Sequence, residues 1–218
     1  HKSLVLALCS ALAIFASVSA RAAVEYKIVT ASERGTYIQI GRDLAKYVAP
    51  DADMVLDVLS SKGSADNLNR LRYEANVKLA IVQSDVYQAF LDYAAAGNTD
   101  ASRLIRPLRV IMPLYNEEIY FIVRADSPLQ YVHEIKDKKM NVDRLQVGTA
   151  LSATTIYRLM FGQPIAEGNA SFLSNEEALV KLTTDKSLDV VVIVAGQPAK
   201  LLADMKPEAR TLHKLPKF

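Results

Sequence analysis

The 218-residue chain carries 26 Lys and Arg against 24 Asp and Glu, a net charge of +2, and half of its residues are hydrophobic. This is enough apolar material for one sizeable core or two small ones, and no segment has the composition of a disordered tail. The small net charge, without a basic stripe that is interleaved with aromatic residues, argues against a nucleic-acid partner.

The first 22 residues have the organisation of a secretory signal peptide. Lys2 precedes an apolar run over residues 4–18, and small residues follow as far as Ala23. We expect cleavage after Ala22, with Ala20 as the alternative, and therefore a periplasmic protein. A membrane anchor or a buried helix is the other interpretation, but the run is shorter than the ~20 residues that comfortably span a bilayer.

The single cysteine, Cys9, lies inside this apolar run. After cleavage the chain would therefore have no disulfide, no thiol nucleophile and no thiolate metal site. His133 and His213 have no partner at metal-ligand spacing, and no HExxH, EF-hand or Walker-type motif is present. We expect neither a metal nor a cofactor.

Short apolar runs then alternate with amphipathic stretches, which predict strands and helices respectively. Along the first part of the chain, the predicted elements are a strand at 26–30, a helix at 36–48, a strand at 54–59, a helix at 64–73, a strand at 79–82 and a helix at 84–96. This β-α alternation is typical of a parallel sheet that is covered by helices.

Two strands then follow each other almost directly, at residues 108–114 and 119–123. This break in the alternation indicates a crossing from one lobe to another. The alternation resumes with a strand at 139–142, a helix at 149–161, a strand at 171–173, a helix that a capping box at 174–177 opens and that runs to 183, a strand at 188–194, a helix at 197–205 and a strand at 210–215.

The predicted fold class is therefore α/β and bilobal, with a parallel sheet in each lobe. Residues 23–114 form the predicted first lobe, residues 115–119 the hinge and residues 120–218 the second lobe.

Candidate binding residues lie in the strand-to-helix loops, because ligands of open parallel sheets bind outside the carboxyl ends of the strands. Free amides at helix N-termini, hydroxyl groups and arginines suit an anionic ligand. By this argument the candidates are Arg34, Gly35, Thr36 and Tyr37 in the first loop, Ser61, Gly63 and Ser64 in the second, Gln83 and Ser84 in the third, Arg144, Thr149 and Ser152 in the fourth, and Gly196 in the fifth.

Several of these residues also have a purely structural interpretation. Arg34 fits a solvated loop, and residues 60–64 fit simple helix capping. The carboxylates Asp85, Glu117 and Glu118 fit a helix cap and solvated hinge residues. Because the sequence has no paired carboxylates of clear spacing, no Ser/His/Asp order and no cofactor fingerprint, we do not expect an enzyme.

The loops resemble, in order, motifs of the TAXI family of TRAP-transporter solute-binding proteins. The matching segments are SERGTY at 32–37, SKGSADNL at 61–68, LAIVQSDV at 79–86, PLY at 113–115 with IVRADS at 122–127, and VAGQP at 194–198.

The resemblance implies a type II periplasmic-binding fold whose two lobes close over a ligand. It also implies a glutamate-like amino acid or a dicarboxylate as solute, and a TRAP-type membrane permease as partner. Residues that would line the cleft on this analogy are Gly35, Thr36, Tyr37, Ser64, Gln83, Ser84, Thr149 and Ser152, and Tyr115 in the hinge motif joins the candidates.

The chain departs from the family pattern in two places. The loop before the second-lobe helix reads DRLQVGT at 143–149 instead of a glycine- and serine-rich sequence, so we expect it to fill part of the cleft or to change the solute. The sequence also ends at Phe218, where family members cross back to the first lobe.

We therefore expect a first lobe without its C-terminal return, whose open sheet edge favours self-association. The alternative function is a receptor remnant or antigen that no longer binds solute, and the third is an enzyme on a related bilobal fold.

Overall fold

The computed structural model describes residues 23–145 and 148–213 of the protein. Within these residues the strands form two separate sheets. The predicted signal peptide at residues 1–22, with Cys9, lies outside the described residues.

The first sheet contains three parallel strands, β1 (Val24–Val29), β2 (Met54–Leu59) and β3 (Val77–Ala80), in the order β2-β1-β3. β1 pairs with β2 along its whole length, from Val24 opposite Met54 to Val29 opposite Leu59. The strands predicted at 26–30 and 79–82 each begin two residues earlier in the structure. We call this sheet and its helices, residues 23–105, the first lobe.

Four helices belong to the first lobe: α1 (Thr36–Asp43), α2 (Ser64–Tyr73), α3 (Ser84–Ala95) and α4 (Thr99–Ile105). α2 has the predicted bounds. α1 is shorter than the predicted helix at 36–48, because it continues as a π-helical turn, Leu44–Val48, which a 3-10 turn, Pro50–Ala52, follows.

The sequence analysis missed α4, since Gly97 and the polar residues after it resemble a loop. Asn98 opens this helix by accepting a hydrogen bond from the amide of Ala101 at 2.9 Å. Leu104 packs with Leu68 of α2 and Val86 of α3, so burial rather than local propensity stabilises the helix.

The strand predicted at 108–114 is not formed. Residues 106–117 contain neither helix nor strand, and Val110, Ile111 and Met112 are 67 %, 76 % and 62 % exposed. The guanidinium of Arg109 donates hydrogen bonds to the carbonyls of Arg106 and Leu108, so these two carbonyls have a local partner instead of a neighbouring strand. We call residues 106–117 the connector; the predicted hinge at 115–119 lies at its end.

The second sheet has five strands in the order β6-β5-β7-β4-β8. Their bounds are β4 (Glu118–Arg124), β5 (Met140–Asn141), β6 (Ala170–Ser171), β7 (Val190–Ala195) and β8 (Ala209–Thr211). We call residues 118–213 the second lobe.

This second sheet is mixed, so the prediction of a parallel sheet is wrong there. β4 runs antiparallel to both β7 and β8, while β5 runs parallel to β6 and β7. Glu118, the first residue of β4, lies opposite Ala195, the last residue of β7. Because the connector reaches the second sheet at the C-terminal end of β7, β4 begins there and runs antiparallel to β7.

Three helices belong to the second lobe: α5 (Gly148–Phe161), α6 (Asn175–Thr184) and α7 (Lys200–Ala203). α7 is shorter than the predicted helix at 197–205, since Pro198 disfavours helical backbone at Gln197. Short 3-10 turns lie at Val132–Ile135 and Glu167–Asn169.

The core of the second lobe lies on both faces of β7. Val190 and Val192 pack in one cluster with Tyr157 of α5, whereas Val191 and Ile193 pack in another with residues of α6. This alternation explains why β7 is apolar at every position. None of the helices among the described residues has the length and apolar character that a membrane span needs.

Candidate functional site

Five helix N-termini meet at the gap between the two lobes. Strands β1, β2 and β3 lead into α1, α2 and α3 on one side, and β5 and β6 lead into α5 and α6 on the other. Residues at all of these helix starts line a single cavity, as do residues of the loops before them. The lining residues are Ala31, Ser32, Gly35, Tyr37, Ser61, Lys62, Gly63, Ser64, Gln83, Glu117, Asp143, Arg144, Gly148, Thr149, Asn175, Glu176 and Val194.

The cavity has a volume of about 150 Å³. A protein cavity of ~150 Å³ is large enough to bind benzene, so this one accommodates a small organic molecule. Its position at helix N-termini, which carry partial positive charge, favours an acidic group in that molecule.

The loop at residues 60–64 forms the first-lobe floor of the cavity, and part of its hydrogen-bonding capacity is used internally. The Ser61 hydroxyl donates to the Thr30 carbonyl and accepts from the Gly63 amide, both at 3.1 Å. The Lys62 amide donates to Asp66 at 3.2 Å. The first-turn amides of α2, which begin at Ser64 and have no intrahelical acceptor, are the amides that the loop leaves for a solute.

Asn67 holds this floor against the sheet. Its side chain is fully buried and donates to the carbonyls of Thr30 and Ile81, which follow β1 and β3. The sequence analysis missed this residue, although a polar side chain on the buried face of a helix is a usable signal.

The second polar feature of the cavity is a hydrogen bond between Tyr37 and Glu117. The Tyr37 hydroxyl, on a side chain that is buried in α1, donates to Oε2 of Glu117 at 3.0 Å. The ring of Tyr37 also meets the ring of Tyr115 edge-on, with 6.3 Å between their centroids. Glu117, at the end of the connector, is therefore fixed by the Tyr37 hydroxyl, and the Tyr37 ring in turn packs on Tyr115.

Burial controls the protonation of both partners. It raises the pKa of Glu117, and the nearby Asp85 carboxylate adds to the effect, while the hydrogen bond from Tyr37 opposes it. Burial, followed by the charge of Glu117, raises the pKa of Tyr37 far above its usual value, so the hydroxyl keeps its proton. The interpretation of Glu117 as a solvated hinge residue does not match this environment.

On the second-lobe side, the loop at residues 143–149 contributes Asp143, Arg144, Gly148 and Thr149 to the wall. Asp143 has a left-handed backbone, with φ of 66°, and its carboxylate accepts from the Arg144 amide at 2.8 Å. Burial raises the pKa of Asp143. The Arg144 guanidinium lies 4.0 Å from that carboxylate and stays more than half exposed. The described residues of this loop thus form part of the second-lobe wall of the cavity.

Asn175 and Glu176 complete the wall at the start of α6. Oδ1 of Asn175 is buried and has no hydrogen-bond partner among the residues that the structure describes. Glu176 is exposed in the first turn of the helix. The sequence analysis recognised the capping box here but did not count this strand-to-helix loop among the candidate sites.

The lobes touch each other beside the cavity. The Gln83 amide donates to the Ser152 hydroxyl at 3.2 Å, and this hydroxyl donates to the Asp85 carboxylate. Leu151 packs against an apolar cluster of the first lobe. The structure therefore represents a closed arrangement of the two lobes.

The predicted site residues divide into two groups. Those that line the cavity are Gly35, Tyr37, Ser61, Gly63, Ser64, Gln83, Arg144 and Thr149. Those that do not line it are Arg34, which is exposed, Thr36 and Ser84, which begin α1 and α3, Ser152, which joins the lobes, and Tyr115 and Gly196, which pack on each other.

The polar lining residues that the sequence analysis did not select are Ser32, Lys62, Glu117, Asp143, Asn175 and Glu176. Among the described residues, no group of three His, Cys, Asp or Glu side chains is arranged to hold a metal ion.

Solved structures with the same fold include ligand-binding domains and periplasmic binding proteins. The AvGluR1 ligand-binding domain in complex with glutamate matches with a TM-score of 0.56 and 14 % identity, over 89 % of this chain and 79 % of that one. The arginine-, lysine-, histidine-binding protein ArtJ from Geobacillus stearothermophilus gives 0.55 and 14 %, over 87 % and 75 %. The periplasmic aliphatic sulphonate binding protein SsuA from Escherichia coli gives 0.53 and 14 %, over 86 % of this chain and 56 % of SsuA.

At this level of identity the matches establish the fold, which is that of the bilobal type II periplasmic binding proteins. A family model adds to the structural matches, because it matches the sequence itself, from a residue of β1 to the last described residue. It is that of the NMT1-like family and matches residues 28–213, so the chain belongs to the NMT1-like family.

Proposed function

We propose that the protein is a periplasmic solute-binding receptor, which captures a small organic acid between its lobes and delivers it to a TRAP-type membrane permease. The observation that supports this proposal best is the convergence of helix N-termini from both lobes on one small cavity. Such N-termini bind acidic groups without any further cofactor.

The charges of the cavity agree with an acidic solute. Lys62 and Arg144 line it from opposite lobes; Lys62 has no ion pair among the described residues, and the exposed Arg144 guanidinium lies 4.0 Å from the Asp143 carboxylate. With the first-turn amides of α2 and α5, they supply a carboxylate or sulfonate with hydrogen-bond donors from both lobes.

The nature of the solute rests on analogy. The TAXI resemblance favours a glutamate-like amino acid or a dicarboxylate. The proteins of similar fold are described with glutamate, with arginine, lysine and histidine, and with aliphatic sulphonates, all of which carry an acid group.

The proposed mechanism is closure of the lobes about the connector. A solute that contacts both sides of the cavity stabilises the closed arrangement, in which Gln83, Ser152 and Asp85 form interlobe hydrogen bonds and water is excluded. Only the closed arrangement would be recognised by the permease, and no covalent step is involved.

Calorimetry and thermal shift with the protein as purified from the periplasm test the proposal. The probes are L-glutamate, L-aspartate, succinate and taurine, with glycerol as the uncharged control. We expect saturable 1:1 binding of at least one acid and a higher Tm, since a ligand present at ~100 times its Kd stabilises a protein by about 2.7 kcal/mol.

A matched pair of variants locates the binding. Arg144→Ala removes a cation of the cavity and should weaken binding about tenfold, as expected for one lost charge-assisted contact. Arg158→Ala removes an exposed arginine of α5 outside the cavity and should leave binding unchanged. No response to any acid would contradict the proposal and favour the receptor remnant, and turnover of a probe would favour an enzyme.

The transport partner needs a separate experiment. Solute uptake into vesicles that contain a TRAP-type permease should depend on this protein and saturate with its concentration. Uptake that does not require the protein would contradict this part of the proposal.

A further inference from the structure

The cavity contains more acidic than basic side chains. Lys62 and Arg144 are its two cations, whereas Glu117, Asp143 and Glu176 place three carboxyl groups on its lining. A solute that carries only negative charge finds partners for the cations but meets like charge at the carboxylates. The lining therefore matches a solute with charges of both signs.

We propose that the solute is a zwitterion of the amino-acid type, whose ammonium group is held by Glu117 while its acid group lies against the N-terminus of α2 and the cavity cations. This inference rests on the proposed receptor function. It names the chemical class of the solute and Glu117 as the residue that determines specificity.

Of the three carboxylates, Glu117 has the fewest neighbouring groups that offset its negative charge. It is partly buried, and one of its oxygens accepts the Tyr37 hydroxyl at 3.0 Å. Among the described residues it forms no ion pair, and the nearby charge of Asp85 is of the same sign. Because an unpaired buried carboxylate is unfavourable, a cation supplied by the solute is the natural partner.

The other two carboxylates are better compensated. Asp143 accepts the Arg144 amide at 2.8 Å and lies 4.0 Å from its guanidinium. Glu176 is exposed and lies in the first turn of α6, where the helix dipole stabilises negative charge. Neither needs an additional cation as Glu117 does.

A second observation also points to a donor-rich group in the solute. Oδ1 of Asn175, in the same lining, is buried and receives no hydrogen bond from the described residues. A carboxylate cannot donate to this oxygen, whereas an ammonium group offers three N–H donors.

The protonation of Glu117 is consistent with a cationic partner. Burial raises the pKa of Glu117, so its ionised form is less favourable than that of a solvated carboxyl group. An ammonium group in contact with it favours the ionised form and lowers the pKa again. Binding of the zwitterion would therefore restore the negative charge that burial disfavours.

The test compares amine-bearing solutes with their deaminated analogues by calorimetry. The pairs are L-glutamate with glutarate and taurine with ethanesulfonate, so that carboxylate and sulfonate chemistry are both sampled. We expect the amine-bearing member of the bound pair to bind at least tenfold more tightly. Glu117→Gln should weaken that member at least tenfold and leave its analogue unchanged or improved.

Two controls separate a lost ammonium contact from a damaged fold. The amide oxygen that Glu117→Gln introduces can still accept the Tyr37 hydroxyl, so the Tm of the solute-free variant should stay the same or rise. Glu167→Gln removes an exposed carboxylate of the second lobe outside the cavity and should change the affinity for the amine-bearing solute less than threefold.

The outcomes distinguish this inference from the function on which it rests. Equal affinity for glutarate and L-glutamate, with no effect of Glu117→Gln, overturns the zwitterion while the receptor proposal stands. If the wild-type protein binds neither member of either pair nor any other acid, the receptor proposal fails, and the inference fails with it.

Discussion

At the scale of single residues, the environment of Glu117 links binding to pH. The groups that face it are Tyr37 from α1, Tyr115 from the connector and Asp85 from α3. Tyr37 is the only one of these three that lowers the pKa of Glu117, since burial and Asp85 raise it. The Tyr37 hydroxyl is therefore the neighbour that opposes the effect of burial on the pKa of Glu117.

Tyr37→Phe removes that hydroxyl and should raise the pKa of Glu117 further. A protonated Glu117 cannot pair with an ammonium group, so the affinity for L-glutamate falls as the pH drops through this pKa. We expect the fall to occur at a higher pH in the variant than in the wild type. Calorimetry between about pH 4 and pH 8, the range over which perturbed carboxyl groups titrate, measures both midpoints. An unchanged or lower midpoint would contradict the assignment.

At the scale of the elements, α2 is joined to its sheet by Asn67 as well as by apolar contacts. Asn67→Ala leaves the carbonyl of Ile81 without its donor, while the carbonyl of Thr30 keeps the Ser61 hydroxyl. At 1–3 kcal/mol for an unsatisfied buried group, we expect the free energy of unfolding to fall by about 1–3 kcal/mol in urea titrations. Asn69→Ala, on the exposed face of the same helix, should cost less than about 0.5 kcal/mol. Equal losses would rule out a special role for Asn67.

The N-terminus of α6 is fixed by a capping box. The Ser174 hydroxyl accepts the Glu177 amide at 3.3 Å, and Glu177 accepts the Ser174 amide at 3.1 Å. Ser174→Ala should lower the free energy of unfolding by about 1 kcal/mol, with an unchanged slope against urea concentration. Ser102→Ala, inside α4, removes no cap and should have little effect. A Ser174 variant as stable as the wild type would refute this account.

At the scale of the whole molecule, Gly148 of the second lobe lies directly against Gln83 of the first lobe. A Cβ atom at this position would lie 1.7 Å from Oε1 of Gln83. Gly148→Ala should therefore displace the Gln83 side chain, remove its hydrogen bond to Ser152 and weaken solute binding about tenfold. Scattering from the solute-saturated variant should give a larger radius of gyration than the wild type.

The double variant Gly148→Ala with Gln83→Ala provides the control for closure. Removing the Gln83 side chain relieves the overlap, so the two substitutions should not be additive. Additive losses would indicate that Gly148 acts through the fold of α5 instead of through contact between the lobes.

Self-association also belongs to this scale. The first sheet has β2 and β3 at its edges, and the connector exposes Val110, Ile111 and Met112. Open edges and exposed apolar runs both favour pairing between copies, so we expect the sedimentation coefficient to rise with protein concentration. Ile111→Lys should reduce this rise, while Val180→Lys, at an isolated exposed position of α6, should not. A monomer at all concentrations would contradict the expectation.

Much of the local structure follows from the sequence alone. The pattern of α2 gives its bounds residue for residue, and the continuous apolar run of β7 indicates a strand that is buried on both faces. The strand-to-helix rule also selects loops that line the cavity, including those of Gly35, Ser64 and Thr149. These features depend on periodicity, helix starts and strand order, which a few neighbouring residues encode.

Other features depend on partners far away in the chain. The apolar sequence at 108–114 has the composition of a strand, yet within residues 23–145 and 148–213 no strand pairs with it. The direction of β4 is set by the end at which the connector reaches the second sheet. From the sequence, Glu117 is likewise predicted to be a solvated acid, whereas in the structure Tyr37 and Asp85 of the first lobe lie beside it. The sequence thus determined most of the elements and several of the loops that line the cavity, because these are local patterns. Only the tertiary structure decided the sheet directions and the acidic half of the cavity, because burial and charge compensation arise between residues that are distant in sequence.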